Sequence, residues 1–180
     1  DPRHIDFSSD TSEDQMRQFG KGRGTVDCCY PVKCISGHYG ELLAREKHRK
    51  IDILFSPMIY SMPSFLDGHV AVSLACPRVA AAPENIKAGF IKEKDAFAER
   101  NVVYASPMAS LADRPLVPKQ LFEGLAGKIP GLTREEINIA VTKGYAAFDA
   151  FVARLRASGR KILEQCAASG KPCLLVVARP

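Results

Sequence analysis

The chain has 180 residues, 46% of them hydrophobic and 25% charged, and a formal net charge of +5. That length suits one ordinary domain or two small ones, and no apolar run is long enough to cross a membrane as a helix. The charge is modest, no aromatic residues interleave with the basic ones, and no reading-helix motif occurs, so nucleic acid is not an expected partner.

Along the chain, short β-rich apolar runs alternate with helical patterns. His4–Phe7 predicts a strand, and a helix follows from about Thr11 to Phe19, where Gly20, Gly22 and Gly24 break it. Thr25–Asp27 predicts a second, very short strand. Pro31 suits the first position of a helix that runs to about His48. Ile51–Phe55, Asn101–Ala105 and Leu174–Val177 are three further strands, nearly all apolar. Continuous apolar strands separated by helices indicate a parallel sheet covered on both faces. The stretch from Pro57 to Pro77 reads as irregular, with a turn at Asp67–His69 and a short strand at Val70–Ala75. Pro83–Glu99 and Leu116–Leu125 read as helices.

The longest element starts at a capping box, Thr133 with Glu136. Apolar residues follow at helical spacing from Ile137 through Val141, Tyr145, Phe148, Val152, Leu155 and Ile162 to Cys166. Gly170-Lys171-Pro172 ends it, and Ser158–Gly159 is the place where it could bend. The expected fold is α/β: a Rossmann-like parallel sheet flanked by helices, with one long C-terminal helix. It forms one domain over 1–180, or two small lobes over about 1–100 and 101–180. The chain opens at Asp1 and closes on an apolar run, so a fragment of a larger protein, truncated at both ends, is expected.

One pattern repeats. Phe55-Ser56-Pro57-Met58 and Ala105-Ser106-Pro107-Met108 are the same strand exit. In open parallel sheets ligands bind beyond the carboxyl ends of the strands. Basic residues gather at Lys21–Arg23 and Arg45–Lys50. They are solvated element ends or a docking patch for an acidic partner or a phosphate-bearing cofactor such as coenzyme A.

The six cysteines do not have the spacing of a small secreted scaffold, and a chain of this size can hold itself together by its core. Intracellular thiols or metal ligands fit better, which makes the cytoplasm the expected location. Cys29 stands just before a helix start, where partial positive charge favours thiolate, and Lys33 follows one turn later. Cys34 and His38 share a helical face at i,i+4 spacing, as a zinc pair would, or as a packed thiol beside a hydrogen-bonded imidazole. Gly37 and Gly40 inside the same helix each cost about 1 kcal/mol against Ala, so close approach of a backbone or a cofactor is expected there. Cys76 precedes a proline, an arrangement that recurs at iron–sulfur ligands. Cys166, on the apolar stripe, and Cys173, opening a strand, read as core residues. Dinucleotide, Walker, nucleophile-elbow and zinc-protease motifs are all absent, so no complete catalytic site is read in the chain.

"DCCYPVKCISGHYGELL", "KIDILFSPMI", "ACPRVAAAPENIKAGF" and "LTREEINIAVTKGYAAFDAFVARLRASGRKIL" together resemble the domain found in acyl-CoA dehydratase activase-related proteins. That domain belongs to the wider 2-hydroxyacyl-CoA dehydratase and benzoyl-CoA reductase superfamily, and the resemblance runs over nearly the whole chain. It implies an iron–sulfur electron-transfer module. An ATP-dependent activase domain, in the same or another chain, would inject an electron into a [4Fe–4S] cluster, which passes it to an acyl-CoA thioester. Carried over by motif, Cys29 and Cys76 would be cluster ligands, with Lys33 and His38 as cofactor-binding groups beside them. Related cluster-bearing subunits use three cysteines. The third would lie beyond Pro180, or Cys28 or Cys34 would stand in. The alternative is a metal-free Rossmann-like module that binds acyl-CoA or docks the activase.

Overall fold

The computed structural model describes residues 4–23, 29–45, 50–64, 69 and 73–174. Two compact units divide the chain, Asp1–Ile137 and Asn138–Pro180.

In the first unit, helix α1 (Glu13–Phe19) starts where Ser12 Oγ accepts the Gln15 amide at 3.0 Å. Glu13 and Asp14 in its first turn suit the positive end of a helix. Helix α2 (Tyr30–Arg45) follows, matching the helix expected from Pro31. Strands β1 (Ile53–Phe55) and β2 (Met58–Ser61) come next, then the short helix α3 (Pro77–Ala80) and helix α4 (Ala82–Ile91). Strands β3 (Val103–Ala105) and β4 (Met108–Ser110) and helix α5 (Val117–Leu125) follow them.

The strands pair in parallel, β1 with β3 and β2 with β4. The repeated Ser-Pro exit explains why two strand pairs appear. Phe55 lies opposite Ala105 and Met58 opposite Met108, so the two copies of the motif run side by side. Proline has no N–H to give the ladder, and Pro57 and Pro107 interrupt both strands at the same level. Ser56 N still donates to Ala105 O at 2.8 Å and Met58 N to Pro107 O at 2.9 Å, which carries the pairing across the break.

One face of this two-strand ribbon is packed. Leu54 and Tyr104 point into a core with Val32, Tyr39 and Leu43 of α2 and Ile86 and Phe90 of α4. Phe97 and Tyr104 stack with ring centroids 5.0 Å apart. On the other face Ala105 is buried while Phe55 and Val103 stay exposed, so the described residues cover that face in part.

Several expectations change. His4–Phe7 is not a strand: Ile5 and Phe7 are exposed, and Phe7 O accepts from Arg45 Nη1 at 2.7 Å instead of from a ladder. The region read as irregular after Pro57 contains β2, and of the Val70–Ala75 strand the described part is an isolated antiparallel bridge from Leu74 to Ser61. The helix from Pro83 stops at Ile91 because Asp95 takes the Phe97 and Ala98 amides at 3.0 and 2.9 Å and starts a new turn, Ala98–Arg100. Thr25–Asp27 and residues 175–177 of the last strand lie outside the described residues; Leu174 is exposed coil.

Helix α6 (Arg134–Ser169) is 36 residues long and begins in the expected capping box. Glu136 N donates to Thr133 Oγ1 at 3.2 Å, and Thr133 N donates back to Glu136 Oε2 at 2.9 Å. It runs through Ser158–Gly159 without a break and ends before Gly170, whose φ of +62° takes the left-handed turn that glycine tolerates. From Asn138 onward no described residue is buried. Cys166 is half-exposed and Cys173 exposed, so neither is the core residue expected. Among the described residues no helix is long and apolar enough to cross a membrane.

Candidate functional site

The direction of α2 decides where its cysteine stands. Tyr39 Oη reaches Ser56 Oγ, just past β1, at 2.6 Å. Further along the same helix, Gly40, Leu43 and Ala44 share a cleft with Ala96, Glu99 and Arg100, which lead into β3. The helix therefore runs opposite to the strands, and its opening turn lies on their carboxyl side. Cys29 occupies that turn as an exposed residue, its carbonyl accepting Val32 N and Lys33 N at 3.1 Å each. Lys33 is half-exposed one turn along.

Cys76 follows a segment paired antiparallel with β2. Ala75 N donates to Tyr60 O in β2 at 2.8 Å, which ties the preceding residue to the end of the strand pair. Cys76 is exposed and opens α3, with Ala80 N bonded to its carbonyl at 2.9 Å. Both motif cysteines are thus exposed, Cys29 at the opening of α2 and Cys76 beside β2.

Cys34 and His38 do not form a metal pair. Cys34 is buried. His38 turns to the N-terminal segment: Nδ1 lies 2.8 Å from Ser8 Oγ and 3.2 Å from Gln15 Nε2, and Nε2 lies 2.8 Å from Thr11 Oγ1. The Gln15 amide nitrogen also faces Ser9 O and the Glu41 carboxylate, both acceptors, which fixes its orientation.

Glu41 is the centre of this network, and the sequence reading missed it. Its buried carboxylate accepts from Ser9 N, from Ser9 Oγ at 2.7 Å, from Gln15 Nε2 and from Arg45 Nη2. Burial works against its ionisation, but the hydrogen bonds from Gln15, Ser9 and Arg45 outweigh it and hold the carboxyl at about 2. Gln15 Oε1 is the one buried side-chain oxygen or nitrogen among the described residues with no hydrogen-bond partner. A charged residue three positions past His38 on the same helical face was the available sign. Arg45 stands one turn along the same helix, but Ser9 and Gln15 lie 32 and 26 residues away in sequence, which no local spacing reports.

A second polar chain joins Tyr39, Tyr104 and Ser56 under the strand exits. Tyr39 Oη and Tyr104 Oη are 2.9 Å apart, and Tyr104 donates to Pro83 O at 2.8 Å. Burial raises both phenols above the ordinary range, so they remain neutral hydrogen-bonding groups.

Among the described residues no three of His, Cys, Asp and Glu gather closely enough to hold a metal ion. Cys28, beside Cys29, lies outside them.

Residues 4–180 match the family described as "CoA enzyme activase uncharacterised domain (DUF2229)". The chain belongs to this family. The match covers both motif cysteines, the Ser-Pro exits and the long helix, so the resemblance seen in the motifs extends over the whole fold of this activase-family domain. No match is found among curated proteins or among solved structures.

Proposed function

We propose that this activase-family domain is the iron–sulfur electron-transfer module of an acyl-CoA dehydratase or reductase activation system. It would work with an ATP-dependent activase domain in the same or another chain. The observation that supports the reading is the exposure of both motif cysteines, Cys29 at the opening of α2 and Cys76 at that of α3. Soft thiolates are the donors that iron–sulfur clusters take. The donor type fits and the number is incomplete: two thiols fall short of a cubane's ligand set, and Cys28 is the first candidate for a third. A bound [4Fe–4S] cluster would supply a low-potential electron for an acyl-CoA thioester. The chain's own contribution is to hold the thiols at two helix openings, with Lys33 one turn from Cys29. His38 would act through the N-terminal segment that it holds against α2.

The test is anaerobic reconstitution of the whole chain with iron and sulfide. The expected product is brown, with about four iron and four sulfide per chain. Cys29→Ala and Cys76→Ala should each lose most of that content, while Cys166→Ser should keep it. A colourless wild-type product, or cysteine variants that load like wild type, would overturn the proposal.

A second reading, a metal-free module that binds acyl-CoA or docks the activase, draws on a different feature. A cleft of about 280 Å³ on the amino side of the strands is lined by Arg23, Lys94 and Arg100. Its charge is partly offset: Lys94 lies 3.6 Å from Glu99, and Arg23 sits over the Phe90 ring at 5.1 Å. Coenzyme A binding that survives Cys29→Ser and Cys76→Ser and is lost in Arg23→Ala would favour this reading.

A further inference from the structure

Helix α6 keeps a regular apolar seam that its own unit does not bury. From Val141 the seam passes through Tyr145, Phe148, Val152, Leu155, Gly159 and Ile162 to Cys166 in alternating steps of four and three residues. That is the heptad rhythm of two helices wound on each other, with apolar side chains at the a and d positions. None of these described residues is buried, and Phe151 and Leu163 on the flanks of the seam are exposed.

The seam itself names its occupant, a second α6 running the other way. Charge is divided along the helix. Its first half sets Glu135, Glu136 and Asp149 against Arg134 and Lys143, and its second half sets Arg154, Arg156, Arg160 and Lys161 against Glu164. A parallel pair would lay two basic halves together, whereas an antiparallel pair lays each against a more acidic one. Bulk is complementary in one antiparallel register. With Val152 facing Leu155 of the second copy, Tyr145 faces Ile162 and Cys166 faces Val141. Phe148 then faces Gly159, a site where even an added Cβ would meet nothing within 4 Å. The same register sets Asp149 beside Arg156 on the edge of the seam, twice by symmetry. Two helices packed over about 40 Å bury on the order of 1,600 Å² in total, the size of a standard specific interface.

We propose that the chain forms a two-fold symmetric dimer through antiparallel pairing of α6 along this seam. The pairing uses neither Cys29 nor Cys76, so it stands or falls apart from the electron-transfer reading. Its glycine layers hold the affinity to a dissociation constant on the order of 10 µM, and below that concentration the stripe faces water.

The test is sedimentation equilibrium of the whole chain from about 1 to 200 µM, where monomer should give way to dimer. Leu155→Glu, at a position exposed in the single chain, should stay monomeric throughout. Arg156→Asp should weaken pairing about tenfold, and Asp149→Arg added to it should restore the affinity. Direction is read by mild oxidation and tryptic mapping of Val141→Cys in a Cys173→Ser background. The thiol placed at 141 should link to Cys166 of the second copy, while Cys166, roughly 37 Å from its own counterpart, should not link to it. A monomeric mass at every concentration would overturn the proposal, and sedimentation of that monomer with anionic vesicles would assign the stripe to a membrane surface instead. A dimer that persists in Leu155→Glu would overturn the seam, and Cys166 linked to its own counterpart would overturn the antiparallel direction.

Discussion

Glu41 ties the N-terminal segment and α1 to α2 through three donors, Ser9 N, Ser9 Oγ and Gln15 Nε2, and its ionisation is therefore a stability term. The folded carboxyl is held at about 2, against an ordinary value of 4.5. A depressed folded value contributes stability above the unfolded value and loses it as pH falls through the folded one. The window is thus from about pH 4.5 down to about 2, and the term is worth roughly 3 kcal/mol because each pK unit is about 1.4 kcal/mol. Urea unfolding of the wild type should show this loss across that window. Glu41→Gln should be less stable at pH 6 and should have a shallower slope between pH 4.5 and 2; parallel slopes would show that the carboxylate does not carry the term. At this scale the sequence was half legible. Cys29 stands exposed just before a helix start, as its place ahead of Pro31 suggests, whereas Cys76, expected in a loop, opens the short helix α3. His38 was picked out for its spacing from Cys34, yet its nitrogens face Ser8, Thr11 and Gln15. Helical spacing says which side chains share a face but not what the face meets.

The elements show what the two glycines of α2 are for. A Cβ on Gly37 would stand 2.8 Å from Met16 Cα, and one on Gly40 would stand 2.7 Å from the Phe19 carbonyl carbon. The close approach expected from their helical cost is therefore that of α1's backbone. Ala at either site gains up to about 1 kcal/mol of helix propensity but must push two backbones apart, at roughly 1–3 kcal/mol. Gly144 and Gly159, also inside a helix, meet nothing within 4 Å. The two groups should respond with opposite sign. Gly40→Ala should lower the urea midpoint, and Gly159→Ala should leave it unchanged or raise it. A Gly40→Ala protein as stable as wild type would show that α1 can slide. The Ser-Pro echo was legible as a repeat but not as a pairing. Only the parallel register turns two distant copies into one break shared by neighbouring strands. Capping chemistry was the most readable feature, because Thr133 and Glu136 satisfy each other within four residues.

At the scale of the chain, helical pattern and stability part company. The sequence shows α6 plainly, and its 36 residues form without interruption. Yet burial is concentrated in the first unit, where α2, α4 and the strand pair share one aromatic and aliphatic core. Of the residues of α6 only Ile137 is buried, and it belongs to that first unit. A helix draws most of its stability from packing an apolar face, and propensity alone leaves it marginal in water. Here Phe151, Leu155 and Ile162 remain exposed. Local opening should therefore be easier in the more regular element than in the shorter α2. Amide hydrogen exchange of the whole chain at neutral pH tests this directly. Amides from Thr142 to Leu163 should exchange at least tenfold faster than those of Tyr39 to Leu43, a difference of about 1.4 kcal/mol in opening free energy. Equal protection would mean that α6 is stabilised by packing that its exposed stripe does not reveal, and the link from buried area to local stability would fail for this chain.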